Sequence, residues 1–319
     1  MSASPPSPFL RHPAARTAGA VALAGAAALS WALYEKTLYT LRRYDLPVLP
    51  EGADPIRILQ LSDLHLIPSQ QRKIDWVRDL AALEPDLVVN TGDNLSHLQA
   101  VPTALQAMEP LFARPGVFVM GSNDYFAPTL RNPARYLTSR YADAPSERVL
   151  LPVDELIGGM TAGGWTDLNN ARTSLTVRGL RLDLVGVDDP HIQRDDYAAV
   201  AGPASPDAGL TIGVLHAPYQ QVLDAMASDG AELLIAGHTH GGQLCLPGYG
   251  TIVTNCDLDR KRARGVSRWW PGAGSTPSHE APPSAAWMHV SAGLGTSRYA
   301  PVRFACRPEA TLMTLVPRA

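Results

Sequence analysis

Between residues 56 and 120, short apolar runs alternate with amphipathic stretches. One amphipathic stretch places Ile74, Val77 and Leu80 at helical spacing, whereas the apolar runs have the length of buried strands. The runs cover residues 56–61, 87–89 and 117–120, and the helical stretches cover residues 73–83 and 103–112. The order strand, helix, strand, helix, strand predicts a parallel α/β unit.

The second half of the chain has a different pattern. Residues 173–177 and 181–187 alternate between apolar and polar positions on either side of Arg178-Gly179, which predicts a β-hairpin. Further strands are predicted at residues 210–215, 233–236, 287–291 and 311–316, with a helix at 219–227. The fold class predicted from the whole pattern is α/β.

An uncharged apolar segment at residues 17–34 precedes this pattern. As a helix it would be roughly 27 Å long, against about 30 Å for a bilayer core. Three interpretations stay open: a membrane anchor, which we favour, a signal peptide that is cleaved after export, and a soluble alanine-rich helix. Basic residues occur on both sides of the segment, so the side of the membrane that the domain faces is not predicted.

Proline, glycine and serine mark the remaining boundaries. Residues 46–54 are predicted to be a connector and residues 269–285 a flexible surface loop. We therefore divide the chain into a flexible tail (1–16), an anchor helix with its juxtamembrane segment (17–41) and one folded domain (42–319).

The composition limits the kinds of partner and metal site that we expect. The 319-residue chain is 45% hydrophobic, which is ample for a core, and its net charge of -3 with no run of one sign gives no reason to expect nucleic acid as a partner. Three cysteines, none in a C-x-x-C pair, make a thiolate zinc site improbable and leave the disulfide state open. The oligomeric state is also left open.

Residues that can bind metal ions follow the predicted strands. They are Asp63, His65, Asp93, Asn123, His216, His238 and His240. Ligands gather at the carboxyl ends of strands in open α/β sheets, so we expect these segments to converge. About seven oxygen and nitrogen ligands suit two ions better than one. Histidine and carboxylate ligands without thiolates suit Mn, Fe, Zn or Co.

The motifs that contain these residues resemble those of the calcineurin-like metallophosphoesterase superfamily. The chain carries D-x-H at Asp63, G-D-N at Asp93, a lone histidine at His216 and G-H-T-H-G-G-Q around His238 and His240. Judged by the order and spacing of these motifs, the resemblance extends over residues from about 55 to 316. The last motif is close to that of the bacterial membrane-associated branch.

The resemblance implies that the domain at residues 42–319 is a two-sheet β-sandwich flanked by helices. It also implies that this domain hydrolyses phosphate monoesters or diesters, by attack of a hydroxide that bridges two ions. By the family's pattern, Asp63, His65, Asp93 and His240 would hold one ion. Asp93, an asparagine, His216 and His238 would hold the other. Manganese is the ion that we would supply first.

One motif departs from the family's pattern. The family's box is usually Gly-Asn-His-Asp, but residues 121–124 read Gly-Ser-Asn-Asp. Either Ser122 or Asn123 occupies the ligand position, and we favour Asn123 because an amide oxygen is a better ligand than a hydroxyl. The histidine that protonates the leaving group is absent, and general acid catalysis is worth about 10²–10⁴-fold. His97 and His191 are the candidate replacements, and Asp124 is predicted to cap or brace the site.

Two other functions stay open beside phosphoester hydrolysis. The altered box would suit a protein that binds metal without catalysis, and a dinuclear amidase or peptidase would use similar ligands. The substrate is left as a phosphoester, either lipid-linked or a nucleotide, with the membrane as a partner through the N-terminal helix.

Overall fold

The structure is a computed structural model that describes residues 13–130, 148–274 and 280–318. Within these ranges the strands form two six-stranded sheets and one two-stranded ribbon. The strands are β1 (Thr40–Leu49), β2 (Ile56–Leu61), β3 (Leu87–Asn90), β4 (Gly116–Phe118), β5 (Trp165–Asp167), β6 (Ala171–Val177), β7 (Leu180–Gly186), β8 (Leu210–Val214), β9 (Leu233–Ala236), β10 (Cys245–Leu246), β11 (Gly250–Thr251), β12 (Gly265–Trp269), β13 (Ala286–Val290) and β14 (Glu309–Pro317). The α-helices are α1 (Pro13–Glu35), α2 (Gln71–Asp79), α3 (Val101–Met108), α4 (Ser122–Tyr125), α5 (Val153–Ala162) and α6 (Gln220–Ser228).

The first sheet has the order β1-β14-β2-β3-β4-β5. The strands from β2 to β5 are parallel, as the alternating strand and helix pattern predicts. The register pairs Leu61 with Asn90, so β2 and β3 end side by side. The two loops that follow these strands are linked by a hydrogen bond of 2.8 Å from Asp63 N to Gly92 O.

The second sheet has the order β12-β13-β9-β8-β7-β6. The predicted hairpin is present as β6 and β7, and its two turn residues, Arg178 and Gly179, both have positive φ, at 47° and 80°. A type I′ turn requires that conformation at both positions, because its twist matches that of the strands. The strands β7, β8, β9 and β13 are parallel.

The sheets pack face to face, and helices cover their outer faces. Side chains such as Val89 of the first sheet and Ile212 of the second form the core between the sheets. Apolar residues of α2, α3 and α5 cover the first sheet, and Val222 and Met226 of α6 contribute to the cluster on the second. This arrangement confirms the predicted α/β sandwich flanked by helices.

The described elements at the N-terminal side overlap two predicted segments. The predicted tail at residues 1–16 lies partly outside the described residues, and α1 already begins at Pro13. The predicted connector at residues 46–54 begins with strand, because β1 runs to Leu49 and pairs with β14. Leu46 and Val48 are buried on either side of the exposed Pro47, which lies beside a register shift.

The predicted flexible loop at residues 269–285 overlaps β12 at its first residue. Trp269 ends β12, is fully buried and donates from Nε1 to Asp224 Oδ1 over 2.9 Å. Ala273 is buried as well. Residues 275–279 lie outside the described part of the chain.

Candidate metal centre

The seven predicted ligands come from loops at the carboxyl ends of strands in both sheets. Asp63 and His65 follow β2, Asp93 follows β3 and Asn123 lies in α4 after β4, whereas His216 follows β8 and His238 and His240 follow β9. A hydrogen bond of 2.9 Å from Gly237 N to His216 O joins the two loops of the second sheet. The sheets meet at this rim, where Gln60 Nε2 donates to Ala236 O over 2.8 Å.

Four of the predicted ligands form one cluster. Ligand atoms of Asp63, His65, Asp93 and His240 all lie within 4.8 Å of one another. His65 Nε2 is 3.1 Å from His240 Nε2 and 3.5 Å from Asp93 Oδ2. His240 Nε2 is 3.5 Å from Asp63 Oδ1. The structure thus brings together the four residues that the family's pattern assigns to one ion.

The remaining predicted ligands lie on the other side of Asp93. His216 Nε2 is 3.5 Å from Asp93 Oδ2 and 3.3 Å from His238 Nδ1. The Asn123 side-chain amide donates to Asp93 Oδ2 over 2.7 Å. Asp93 Oδ2 is therefore equally far, at 3.5 Å, from His65 Nε2 in the cluster and from His216 Nε2 in the second group.

Five of these residues have a backbone conformation that L-amino acids rarely adopt. The φ angles are 51° at Asp63, 43° at His65, 57° at Asp93, 68° at His238 and 50° at His240. Left-handed backbone is uncommon outside glycine, asparagine and aspartate, and such strain clusters at functional sites. The ligand loops are thus held in unfavourable geometry that directs their side chains to one place.

Burial controls the charges at the site. Burial lowers the pKa of His65 to about 4 and holds the pKa values of His238 and His240 well below the ordinary range. Burial raises the pKa of Asp63 to about 6. Histidine binds a cation through a neutral imidazole, so the lowered pKa values leave these side chains in the form that can serve as ligands.

The Asp93–His216 pair is the charged centre of the site. Burial disfavours the Asp93 carboxylate, but attraction to His216 outweighs it and holds the pKa of Asp93 well below its usual value. Burial likewise disfavours a charged His216, and attraction to Asp93 and Asp189 raises its pKa well above the usual value. His216 Nδ1 donates to Thr91 O over 2.7 Å, which leaves Nε2 facing Asp93.

The donor set fits divalent cations. Asp63 Oδ1 is fully buried and, within the described part of the chain, accepts no hydrogen bond. A buried carboxylate oxygen without a partner is costly in a folded protein. It lies among imidazole nitrogens that approach each other closely, and carboxylate with imidazole is the ligand chemistry of Mn, Fe, Zn and Co.

Asp124 braces the loop that carries Asp93. Its carboxylate accepts from the backbone N–H groups of Asp93 (2.8 Å), Asn94 (2.7 Å) and Gly121 (3.0 Å). Burial nevertheless raises the pKa of Asp124 to about 7. The prediction that Asp124 caps or braces the site agrees with these contacts.

The altered box places an amide beside the shared carboxylate. Asn123 also donates from its backbone N–H to Asp93 Oδ1 over 2.7 Å, and its Nδ2 lies 3.4 Å from Ser122 Oγ. Gly121 has no room for a side chain, because a Cβ there would overlap Asp93 Oδ1 and come within 2.7 Å of His216 Cε1. The Asn123 side chain therefore contacts both Asp93 Oδ2 and Ser122 Oγ.

The two candidate proton donors lie in different surroundings. The His191 ring centroid is 4.5 Å from that of His238, and His191 Nδ1 is 3.0 Å from the Tyr219 hydroxyl. His97 Nδ1 accepts from Gln99 N over 3.1 Å in the loop after β3. His191 is therefore the candidate that contacts a predicted ligand.

Sequence reasoning missed a buried arginine that supports the site. Arg303 is fully buried and donates to the carbonyl oxygens of Ala292 (2.7 Å), Gly295 (2.6 Å), Cys306 (3.3 Å) and His240 (3.4 Å). It thus holds the loop that carries His240 against the chain after β13. No local pattern distinguishes this arginine from an exposed one.

Asp189 was also missed. It is fully buried, its Oδ1 accepts from His191 N over 2.9 Å, and its Oδ2 accepts no hydrogen bond within the described residues. Burial, partly offset by the nearby His216, raises the pKa of Asp189 to about 7. Asp189 lies two residues before the candidate proton donor His191 in the sequence Asp188-Asp189-Pro190-His191.

Comparison with known proteins identifies the family. The sequence model of the calcineurin-like phosphoesterase family matches residues 56–242. The chain therefore belongs to the calcineurin-like phosphoesterase family. It is a hydrolase of phosphoric esters, and the family is dimetal-dependent.

Several relatives extend over most of the chain. An uncharacterized metallophosphoesterase, YkuE of Bacillus subtilis (strain 168), is 28% identical over 89% of this chain and 86% of its own length. The phosphodiesterase YaeI of Escherichia coli (strain K12) is 25% identical over 87% of this chain and 88% of its own length. A Bos taurus protein named transmembrane protein with metallophosphoesterase domain is 31% identical over 63% of this chain and 44% of its own length.

Proposed function

We propose that the protein hydrolyses phosphodiesters with two divalent cations held at the strand ends. Asp63, His65, Asp93 and His240 would hold one cation, and Asp93, Asn123, His216 and His238 the other. The observation that carries the proposal is the position of Asp93 Oδ2, 3.5 Å from both His65 Nε2 and His216 Nε2. The YaeI name favours a diester over a monoester.

The bound cations would supply an activated water and neutralise charge on the phosphoryl oxygens. The chain's own residues do the rest. Asp93 is kept anionic between the two imidazoles, and Thr91 O orients His216. Asn255 O lies 3.2 Å from His238 Nε2 and so leaves His238 Nδ1 facing the site.

We propose that His191 donates the proton to the leaving oxygen, since Asn123 stands where the family usually has the histidine that does so. Its ring lies against His238, and the Tyr219 hydroxyl lies 3.0 Å from its Nδ1 and fixes its orientation. A donor at this position would protonate the leaving group beside the second group of ligands.

His191→Gln is expected to slow the hydrolysis of aryl methyl phosphates by an amount that grows with the basicity of the leaving group, up to about 10²-fold. Hydrolysis of bis(p-nitrophenyl) phosphate should change little, because p-nitrophenolate leaves without a proton. The measurement is kcat across the leaving-group series. His97→Gln is the matched control, and an equal loss across the series would assign His191 a structural role instead.

Removal of metal is expected to abolish hydrolysis and lower the melting temperature. Cations at about 100 times their Kd would stabilise the folded state by about 2.7 kcal/mol. The measurement is a thermal melt and an assay with bis(p-nitrophenyl) phosphate, before and after chelation and after addition of Mn²⁺. A chelated protein with unchanged melting temperature and activity would contradict the proposed centre.

Metal binding without catalysis is the second candidate function, because the box lacks the family's histidine. Full metal content with no turnover of aryl phosphodiesters would favour it. Cleavage of amides instead of phosphodiesters would favour a dinuclear amidase.

We further propose that residues 17–41 anchor the domain at 42–319 to a membrane. The support is the segment Arg16–Glu35, which has the length and a mean hydropathy of 1.4 suitable for a span, with 6% of it buried. A signal sequence near the N-terminus passes the same test. The mass of the protein isolated from its host distinguishes an anchor from a cleaved signal sequence, since cleavage would remove the helix.

A further inference from the structure

The carboxyl end of α1 is fixed to the domain, although most of the helix is exposed. Val21 and Leu23 are 67% and 74% exposed, whereas Ala32 and Glu35 are buried. Arg303 N donates to Ala32 O over 3.0 Å. The helix therefore leaves the domain from the segment that contains Arg303.

A buried carboxylate fixes the helix at that point. Glu35 accepts from Ala305 N (3.0 Å), Cys306 N (2.8 Å) and Trp31 Nε1 (2.8 Å). Charge-assisted hydrogen bonds in a buried setting are among the stronger ones. The direction of α1 relative to the domain is thus set by hydrogen bonds.

The connection from α1 to the first sheet is short. Residues 36–39 separate α1 from β1, and Thr40 N donates to Pro308 O over 2.9 Å. A linker of this length leaves the domain little freedom to move away from the end of the helix.

Exposed apolar side chains lie at and beside the β10–β11 ribbon, which Cys245 N joins to Phe304 O over 2.8 Å, and in the chain before Arg303. Leu244, Leu246, Tyr249 and Tyr299, which we name the exit face, are 41%, 50%, 61% and 48% exposed. Leu244 forms a β-bridge with Phe304, in the segment that holds α1. Tyrosine is enriched where membrane and water meet, and clustered exposed apolar residues mark interaction sites.

Arginines border the exit face. The Arg260 guanidinium lies 4.7 Å from the Tyr249 ring centroid, and Arg264 donates to Ala305 O over 3.3 Å. Arg298 is exposed and precedes Tyr299. Basic residues close to a bilayer are attracted by anionic headgroups.

The exit face and the candidate metal centre share their supporting segments. Arg303 and Cys306 both donate to His240 O, over 3.4 Å and 3.3 Å. Arg298 donates to Ser96 O over 3.3 Å, and Ser96 Oγ lies 3.1 Å from His65 Nδ1. The segment that holds α1, and Arg298 beside the exit face, are therefore one or two contacts from the predicted ligands His240 and His65.

We propose that the exit face rests on the headgroups of the bilayer that α1 spans, and that the centre takes a phosphodiester in the headgroup of a lipid from that bilayer. Water would add its oxygen to phosphorus as the P–O bond to the leaving alcohol breaks, and the departing oxygen would gain a proton. This inference rests on the proposed function and narrows its substrate to a lipid.

The surface is tested by fluorescence on the full chain in vesicles of phosphatidylcholine and phosphatidylglycerol. Tyr249→Trp adds an indole at the exit face. Thr176→Trp is the matched control, exposed beside the β6–β7 turn at the opposite ends of the parallel strands. Brominated lipids should quench most of the added emission of Tyr249→Trp and none of that of Thr176→Trp. If the tryptophan at position 249 is not quenched, or if both tryptophans are quenched equally, the proposed contact between the exit face and the bilayer is wrong.

The substrate class is tested with two probes that share a p-nitrophenyl leaving group. One is the p-nitrophenyl ester of a phosphatidic acid in the same vesicles, and the other is soluble bis(p-nitrophenyl) phosphate. We expect kcat/KM to be at least about tenfold higher for the lipid probe, because substrate and enzyme are held on one surface. If the soluble probe is cleaved as well as the lipid probe or better, the proposal of a lipid substrate is wrong, but the proposed phosphodiesterase function is not. If the metal-loaded protein cleaves neither probe, the proposed function itself is wrong. The quenching result would still decide whether the exit face contacts the bilayer.

Discussion

Asp93→Asn is expected to lower the rate of bis(p-nitrophenyl) phosphate hydrolysis by about 10²–10³-fold or more. The Asp93 Oδ2 atom lies 3.5 Å from an imidazole nitrogen of both ligand groups. Asparagine has nearly the same size and tolerates the φ of 57° at this position, so the loop should keep its shape. The amide lacks the charge that two cations would share. The measurement is kcat together with metal content per chain.

The matched control for this substitution is Asp183→Asn. Asp183 lies on β7 in the hairpin, at a partly buried position remote from the predicted ligands, and pairs with Arg181 over 2.9 Å. This variant should keep both the rate and the metal content. A wild-type rate with two metal ions per chain in Asp93→Asn would rule out the shared-carboxylate role.

Arg303→Lys is expected to destabilise the protein by roughly 3 kcal/mol and to lower activity. Lysine keeps the charge but replaces a planar fork of five donors by three on a flexible stem. Carbonyl groups of Ala292, Gly293 and Gly295, which Arg303 Nη2 reaches over 2.7, 3.0 and 2.6 Å, would lose their donor inside the protein. The measurement is the midpoint of thermal unfolding in detergent.

Arg172→Lys tests whether this loss is specific to the buried arginine. Arg172 is exposed and donates from Nη2 to Gly202 O over 2.8 Å. Its replacement should change the midpoint very little, since exposed substitutions are usually within about 0.5 kcal/mol. Equal shifts in the two variants would show that the support given to the His240 loop by Arg303 is unimportant.

The β6–β7 hairpin was predicted from its alternation and its turn, whereas the other predicted strands came from continuous apolar runs, which are typical of strands buried on both faces. The run at residues 56–61 is such a case, and β2 has the same bounds, Ile56–Leu61. The pattern did not reveal β1, because its first half is largely exposed and Pro47 lies within it. Proline is tolerated at the sheet edge where β1 lies, so its presence is a poor guide there.

The site was predictable where each ligand directly follows a strand. Asp63, Asp93 and His216 have this placement, and the order of parallel strands then brings them to one rim. Arg303 and Glu35 were not predictable, because their burial depends on contacts between segments far apart in the sequence. The roles of His97 and His191 stay predictions.

The ligand loops belong to different sheets, since Asp63 and Asp93 follow strands of the first and His216 and His238 strands of the second. Ions bound at this rim would therefore link the two sheets of the sandwich to each other. Native-state hydrogen exchange offers a way to see it: the amide of Gly237, bonded to His216 O, would open together with that of Asp63, bonded to Gly92 O. The two sheets would then behave as one cooperative unit with the ions bound and as two without them.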